Sequence, residues 1–396
     1  MTKTACSISF VTSAIVNNYA PLLFSMFQNS YGITLENISV FIALNFGAQI
    51  LAALIFPKFI DRIGYRISTA AALLLAASGL AGLAFLPDLL PSPFIGLLAA
   101  VVIYALGSGI INVTINPIIE ECSLGSSEKT RSLLYSSYCW GYVAVVALST
   151  VFFNFFGLGH WKLLTCLWAV VPLFDAALFL LSPAKTKKPD AIGSDASQKS
   201  GISLKQLISS NIFIGLVAVM ICSGASEHTM SQWASMFAEI GLGVSKAVGD
   251  FAGPCFFAAM MGISRIIYTL SSKKIKLETY MLASGILCAL GYVLAALPTV
   301  PAVSFLGFGL CGFSAGIFWP GTVSLAARSF PGGGTPMFAA LALTGNIGAA
   351  AGPMAVGIAS EAFGSLGAGL LLAAIFPAIL AAGIIYHMKN KKTVKN

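Results

Sequence analysis

Residues 57–66 read PKFIDRIGYR and interrupt a region that is otherwise almost entirely apolar. Four of these ten residues are charged, whereas the neighbouring runs at about 37–60 and about 67–87 are rich in Ala, Leu, Ile and Phe. A helix needs about twenty mainly apolar residues to span a bilayer, and each neighbouring run is that long. The stretch therefore predicts a charged turn at one membrane surface, between two spanning helices.

The same alternation continues along the whole chain. Of its 396 residues, 57% are hydrophobic and only 9% are charged, whereas a soluble domain carries about 25% charged residues. This composition predicts a protein embedded in lipid. We predict twelve spanning runs, at about 6–28, 37–60, 67–87, 93–119, 132–156 and 161–182, and then at about 207–237, 247–271, 278–297, 301–327, 335–360 and 364–388.

A polar gap after the sixth run divides the chain. It predicts a first six-helix bundle at 1–182, a cytoplasmic linker at 183–206 and a second six-helix bundle at 207–396. The halves also echo each other, because the fourth and tenth runs both carry Gly followed eight residues later by Pro, at 109–117 and 312–320. The predicted fold class is an all-α membrane protein with twelve transmembrane helices in two pseudo-symmetric bundles.

Basic residues are distributed very unevenly between the two sides of this topology. Nineteen of the 22 Lys and Arg residues fall on the side that holds both termini and the linker. By the positive-inside rule this side is cytoplasmic, so we expect a multi-pass protein of the plasma (inner) membrane with both termini inside. The net charge of +8 comes from these short clusters, which do not form the basic face that nucleic-acid binding requires.

The sequence lacks the patterns of metal sites and ATP-driven enzymes. Its eight cysteines include no CxxC pair, and neither a G-x-x-x-x-G-K-[ST] loop nor an H-E-x-x-H motif occurs. We therefore expect no cofactor, no metal and no enzymatic activity. Secondary transport is the favoured function, and a membrane sensor derived from a transporter is an alternative that usually requires a signalling appendage.

The charged stretch at 57–66 resembles the signature of the major facilitator superfamily, G-x-L-a-D-r-x-G-r-k. Four residues match at the right spacing, and Pro57 stands where the first glycine is usual. The resemblance covers the whole chain, because the stretch follows the second of twelve predicted spans. The matching residues are Asp61, Arg62, Gly64 and Arg66.

Two shorter strings, at 137–141 and 226–233, look like those of the fucose-permease-related sugar transporters of bacteria. This likeness implies alternating access, with a small polar solute, a sugar or similar, imported together with a proton by a monomeric chain in the lipid bilayer. The fifth run lacks the Gly-Pro-x-x-Gly-Gly sequence of proton-coupled drug exporters. Efflux of a drug or metabolite remains the alternative.

Glu227 is the predicted proton-coupling residue. A charge within a span costs from about 2.5 kcal/mol upward and needs an explanation, and no Lys or Arg lies one turn away on the same predicted helix. A desolvated carboxyl of this kind can take up and release a proton. The alternative is a structural hydrogen bond near the outer interface.

Gating is predicted for charged residues near the cytoplasmic surface. Asp61 can pair with a basic group or cap a helix end, and so latch the two bundles in one state; a solvated turn is the alternative. Arg265 can pair with Glu120 or Glu121, or its side chain can extend to the interface. The full predicted gating set is Asp61, Arg62, Arg66, Arg265 and Glu120.

Substrate binding is predicted for amide and aromatic residues within the spans. The resemblance favours amides of the first, fourth, seventh and tenth runs, because these runs line the central path in this superfamily. Amides donate and accept hydrogen bonds, which suits hydroxyl-rich solutes, and aromatic rings can stack on the apolar face of a sugar. Contacts between helices are the alternative role for the amides. The predicted residues are Asn17, Asn112, Asn116, Tyr138, Trp140, Gln232 and Trp319.

Overall fold

The computed structural model describes residues 2–123, 128–181, 204–272, 274–296, 300–331 and 333–393. Some side chains within these ranges are also outside the description, namely those of residues 58, 61, 116, 117, 119–123, 128–135, 204, 335 and 391–393. The described residues form helices, turns and loops, and no β-strand occurs among them.

Twelve helices in the described part of the chain are long and apolar enough to cross a membrane. This result confirms the predicted fold class. We number them α1 Thr2–Tyr31, α2 Leu35–Ile55, α3 Tyr65–Leu89, α4 Pro93–Ile115, α5 Ser136–Phe156, α6 Leu158–Leu181, α7 Asn211–Gly241, α8 Lys246–Ser271, α9 Leu277–Ala296, α10 Pro301–Ser329, α11 Pro336–Phe363 and α12 Leu366–Asn390.

Several helices extend beyond these apolar ranges or change their winding. The helical backbone of α4 continues to Ser123, α5 begins at Glu128, α11 begins at Gly334 and α12 ends at Thr393. A 3-10 turn interrupts α1 at Ala20–Leu23, and π-helical turns occupy Phe237–Gly241 in α7 and Phe251–Cys255 in α8. Two short helices, Pro57–Ile63 and Leu204–Ile208, precede α3 and α7.

The chain divides into two compact units. The first comprises Met1–Ala191 together with Ser245–Phe251, and the second comprises Ile192–Val244 together with Ala252–Asn396. Each unit holds six of the helices, except that the beginning of α8 groups with the first unit. The predicted linker at 183–206 lies mostly outside the described residues, so its boundaries stay predictions.

The helices pair in the same way inside each unit. In the first unit, α4 packs against α2 and α3, α1 packs against α5 and α6, and α3 packs against α6. In the second unit, α10 packs against α8 and α9, α7 packs against α11 and α12, and α9 packs against α12. The internal repeat suggested by the Gly and Pro spacing is therefore present in the packing.

Glycines at equivalent positions allow the equivalent contacts. A Cβ atom on Gly109 of α4 would lie 2.7 Å from the carbonyl oxygen of Gln49 in α2. A Cβ atom on Gly312 of α10 would lie 2.2 Å from the carbonyl oxygen of Phe257 in α8. Both distances are shorter than van der Waals contact allows, so each pair of helices needs glycine at its crossing.

The charged stretch at 57–66 is helical for most of its length, which the sequence did not predict. The second span was expected to reach residue 60 but ends at Ile55, because Pro57 has no N–H to continue the helix and instead starts a new one. Gly64 separates the short helix from α3 with φ of +90°. That conformation favours glycine, which explains the Gly of the motif.

Candidate functional site

Glu227 lies at the centre of α7, with sixteen residues of the helix before it and fourteen after it. The sequence placed it nearer the outer end of its span, because the prediction stopped at about residue 237. The π-helical turn at Phe237–Gly241 lengthens the helix beyond that point. Glu227 is only 8% exposed, so its carboxyl group is both central and nearly buried.

Neighbouring helices hold this part of α7 through its backbone and its aromatic residues. All residues from 222 to 238 are buried. The hydroxyl group of Tyr292 in α9 donates to the carbonyl oxygen of Ser226 at 2.8 Å, and the indole nitrogen of Trp233 donates to the carbonyl oxygen of Pro353 in α11 at 3.0 Å. These contacts fix the rotation of α7, and with it the direction in which Glu227 points.

Arg265 reaches from α8 toward the middle of α10. Its Nε atom donates to the carbonyl oxygen of Gly316 at 3.3 Å, and Gly316 has fifteen helix residues before it and thirteen after it. A Cβ atom on Gly316 would lie 2.7 Å from the carbonyl oxygen of Met261, so glycine allows α8 to come this close. This contact directs the side chain toward the middle of α10, and the gating role of Arg265 stays a prediction.

Arg265 is the charged group that acts electrostatically on Glu227. The two side chains do not form a direct ion pair, and Glu227 has no hydrogen-bond partner in the part of the chain that the structure describes. The sequence argument considered only α7 and found no cation there. The structure supplies one from α8, within the same unit.

The first unit contains a cluster of amide side chains, which we call the amide cluster. Asn17 Oδ1 in α1 accepts hydrogen bonds from Gln49 Nε2 at 2.9 Å and from Asn45 Nδ2 at 3.2 Å, both in α2. Asn112 Nδ2 in α4 donates to Gln49 Oε1 at 3.5 Å, and Ser13 Oγ donates to Asn112 Oδ1 at 3.5 Å. The predicted residues Asn17 and Asn112 therefore belong to one network, which also includes Asn45 and Gln49.

The two predicted aromatic residues of α5 have different surroundings. The hydroxyl oxygen of Tyr138 accepts a hydrogen bond from Asn18 Nδ2 at 3.4 Å, so Tyr138 lies next to α1. Trp140 is 49% exposed and shares an exposed apolar stripe with Leu148 and Phe155. Such stripes on spanning helices are typical of lipid contact, so the exposure of Trp140 favours lipid as its neighbour, and its role in solute binding stays a prediction.

The predicted binding residues of the second unit lie on α7 and α10. Gln232 is buried, one turn and a half beyond Glu227. The ring of Trp319 packs over Gly345 of α11, where a Cβ atom would lie 2.4 Å from the ring. Trp319 is partly exposed and follows Gly316 by three residues, so both lie on one face of α10.

Two of the predicted gating arginines differ in their contacts. Arg66, at the start of α3, donates from Nε to the carbonyl oxygen of Phe179 at 2.9 Å, in the last turn of α6. A cation at this place compensates the free carbonyl groups of a helix end. Arg62 is exposed. The contact of Arg66 is therefore structural within the first unit, and a gating role for either residue stays a prediction.

Three further predicted residues lie in described helices, but their side chains are outside the description. Nothing in the structure therefore tests their predicted roles in gating or solute binding. These residues are Asp61, Glu120 and Asn116.

The first unit also contains a buried acid that the sequence argument missed. Asp250 is fully buried, and its carboxylate accepts from Lys246 Nζ at 2.6 Å and from Thr150 Oγ1 at 3.2 Å. The sequence signal was available, because Lys246 and Asp250 are four residues apart on one helix face.

The polar centres of the two units are built on equivalent helices. The amide cluster uses α1, α2 and α4, and the group of Glu227, Arg265 and the Gly316 carbonyl uses α7, α8 and α10. These are the corresponding members of the internal repeat. The first unit therefore presents neutral amides where the second presents charges.

Features of a hydrolase or metalloenzyme are not assembled here. The string at 312–316 has the form G-x-S-x-G, but it lies in the middle of α10 instead of the strand-to-helix turn that a nucleophile elbow requires. Ser314 within it is buried. Among the described residues, no three His, Cys, Asp or Glu side chains come close enough together to hold a metal ion.

These observations define a polytopic helical membrane protein with an internal repeat and buried polar centres. A model of the Major Facilitator Superfamily matches residues 5–353. The chain belongs to this superfamily. It is a multi-pass membrane transporter and not an enzyme. A search of curated protein sequences finds no match.

Solved structures of transporters share the fold. A bacterial homologue of the human lysosomal transporter Spinster, in an inward-facing and occupied conformation, is 14% identical, with 98% of this chain and 96% of that chain covered and a TM-score of 0.76. The nucleoside transporter NupG is 14% identical, with 98% and 99% covered and a TM-score of 0.75. The E. coli fucose:proton symporter FucP is 15% identical, with 97% and 98% covered and a TM-score of 0.63. At these identities the likeness, including that to the fucose permease, is one of fold.

Proposed function

We propose that this transporter imports a small polar solute, a sugar or a similar molecule, together with a proton, by alternating access. The observation that carries the proposal is Glu227, a nearly buried carboxyl at the centre of α7 with no hydrogen-bond partner among the described residues. Such a group is stable in the membrane only if its charge is compensated or neutralised. Taking up a proton is the means of neutralisation that can be reversed when water or solute enters.

The amide cluster supports a polar solute. Its amides occupy the middle of the first unit, and Asn112, at its edge, is exposed. Amide groups both donate and accept hydrogen bonds, and a hydroxylated molecule at this exposed edge could exchange bonds with the cluster. FucP, which shares the fold, is described as a fucose:proton symporter, and this also favours a sugar-like solute and symport.

Uptake into proteoliposomes tests the proposal. The protein is reconstituted with a pH-sensitive dye inside the vesicles and challenged with a panel of monosaccharides, amino acids and organic acids. We expect at least one solute to move protons into the vesicles and to accumulate when the outside is acidic. Glu227→Gln should abolish this accumulation but spare exchange of labelled for unlabelled solute, because exchange needs no net proton movement.

The matched control is Glu361→Gln. Glu361 is an exposed carboxylate in the last turn of α11, in the same unit, and its replacement should leave accumulation unchanged. Accumulation by the Glu227→Gln protein at the wild-type rate would contradict proton coupling through Glu227. A requirement for sodium instead of an acidic exterior would contradict proton coupling altogether.

A further inference from the structure

The guanidinium group of Arg265 has unused donors in the middle of the second unit. Its Nε atom donates to the Gly316 carbonyl oxygen, and no other hydrogen bond of the Arg265 side chain occurs in the part of the chain that the structure describes; Thr269 binds only the Arg265 backbone carbonyl. The residue is partly exposed. The two terminal nitrogen atoms therefore form an open, planar donor pair beside a buried acid.

A purely structural counter-ion would be expected to contact its partner. Elsewhere this chain forms such contacts directly: Lys246 lies 2.6 Å from Asp250, and Lys162 pairs with Asp88. Arg265 acts on Glu227 only from a distance and is fixed to a backbone carbonyl instead. Its position is therefore set independently of Glu227, which leaves its charge available to a third group.

We propose that Arg265 binds the carboxylate of the transported solute, so that this solute is a small organic acid such as a sugar acid. The inference rests on the proposed function and narrows its polar solute to an anion. A guanidinium group matches a carboxylate in shape and charge better than any other side chain does. A phosphate ester, with its charge of nearly −2, would leave one charge uncompensated beside a single arginine.

Binding of the solute then promotes protonation of Glu227. The solute carboxylate and Glu227 compete for one positive charge, so a bound solute leaves Glu227 uncompensated, and Glu227 takes one proton from water. The proton returns to water when the solute leaves, so each cycle carries one anion and one proton. Near Glu227 the other ionisable side chains are His228 on α7 and Tyr292 on α9. Of those on α10, α11 and α12, the thiol of Cys311 is buried against α9. The rest lie toward the ends of their helices, at Arg328, Glu361, Tyr386, His387 and Lys389.

Matched pairs of neutral and acidic sugars test the assignment. Binding to the purified protein in detergent is measured by calorimetry for galactose and galacturonate, for glucose and gluconate, and for glycerol and glycerate. We expect at least one acid to bind at least tenfold more tightly than its neutral partner. Arg265→Gln should weaken that binding at least a hundredfold, and Arg265→Lys, which keeps the charge but loses the planar donor pair, at least fivefold.

Arg328→Gln is the matched control. Arg328 is an exposed arginine in the last turn of α10, and its replacement should leave the affinity unchanged. Arg265→Lys also serves if Arg265→Gln does not fold. The proposal is overturned if the neutral sugars bind as tightly as the acids, if none of the acids binds, or if both Arg265 variants keep the wild-type affinity.

The inference and the proposed function fail in different ways. Arginine-dependent binding of an acid, without proton-driven accumulation in vesicles, would retain carboxylate recognition and remove proton-coupled import. Proton-driven accumulation of a neutral sugar would retain proton-coupled import and remove carboxylate recognition.

Discussion

Asp175 and Glu227 are both carboxyl groups inside spanning helices, but their surroundings differ. Glu227 has the charge of Arg265 within electrostatic reach. Asp175, in α6, is completely buried, and its Oδ2 atom accepts a hydrogen bond of 2.5 Å from Ser9 Oγ in α1. Its Oδ1 atom has no partner among the described groups, and neither has the hydroxyl group of Thr12, one turn beyond Ser9. Asp175 is therefore a contact between two helices, with one oxygen atom unsatisfied.

A neutral amide should suit this place better than a carboxylate. Asp175→Asn keeps an oxygen atom that accepts from Ser9, and its NH₂ group can donate toward Thr12. An ionised carboxylate that is buried without a compensating charge is costly, so removing the charge should stabilise the protein. We expect the Tm of the detergent-solubilised protein to rise by roughly 2–4 °C per kcal/mol, as measured by thermal unfolding.

Asp175→Ala is the comparison for that experiment. It removes the acceptor of the Ser9 hydrogen bond and leaves a cavity, so its Tm should fall below that of the wild type. A Tm for Asp175→Asn as low as that of Asp175→Ala would show that the carboxylate itself is needed. A bound cation would then be the better explanation of the open oxygen.

Side-chain contacts were the least predictable part of the site. The sequence identified Glu227, Asn17 and Arg265 correctly as polar residues within spans, because charge and amide groups stand out in apolar runs. It could not show that Arg265 reaches the Gly316 carbonyl, since this depends on the rotation of α8 and on its close approach to α10. Only the packed structure fixes these two quantities.

At the scale of helices, close packing between α7 and α11 depends on small residues. Gly345, Gly348 and Gly352 of α11 all lie where a Cβ atom would be closer than 3 Å to a neighbouring helix. A Cβ atom on Gly348 would lie 1.9 Å from the carbonyl oxygen of Ile221, and one on Gly224 would lie 2.0 Å from the carbonyl oxygen of Gly345. Backbone atoms cannot move aside as a flexible side chain can, so the helices must separate to admit a methyl group.

Gly348→Ala should therefore destabilise the second unit. Overpacking of a tight contact costs about 1–3 kcal/mol, and we expect a lower Tm and weaker transport, because α7 also carries Glu227. The control is Gly47→Ala in α2, where no atom lies within 4 Å of the added methyl group. Alanine is the better helix former by roughly 0.5–1 kcal/mol, so this variant should be as stable as the wild type or more so. Equal Tm values for the two variants would contradict the packing argument.

Helix positions followed from the sequence more reliably than helix ends. Apolar length alone gave all twelve spans, because lipid requires about twenty apolar residues whatever their order. The ends depend on local chemistry that hydropathy does not measure. Pro57 ends the second span at Ile55, five residues before the predicted end, and the π-helical turn at Phe237–Gly241 extends α7 beyond its predicted end.

At the scale of the whole molecule, the repeat explains how one fold carries two kinds of polar centre. Equivalent glycines, Gly109 and Gly312, bring equivalent helices together in the two units. The polar side chains on these helices are amides in the first unit, whereas the second unit has the charged groups Glu227 and Arg265. The scaffold can therefore stay constant while the chemistry of each unit changes independently.

The orientation of the chain in its membrane is the remaining large-scale prediction. It follows from the unequal distribution of basic residues, nineteen of 22 on one side. Lys162, at the start of α6, and Lys274, after α8, are predicted to lie on opposite sides; Lys162 is partly exposed and Lys274 is exposed. Each can be changed to cysteine in a background whose native cysteines are replaced by serine. In intact cells, a membrane-impermeant maleimide should then label Lys162→Cys and leave Lys274→Cys unlabelled until the membrane is permeabilised.

The reverse pattern would place both termini outside. Equal labelling of both positions in intact cells, with sealed membranes verified by a cytoplasmic marker, would contradict the assignment of the two loops to opposite sides.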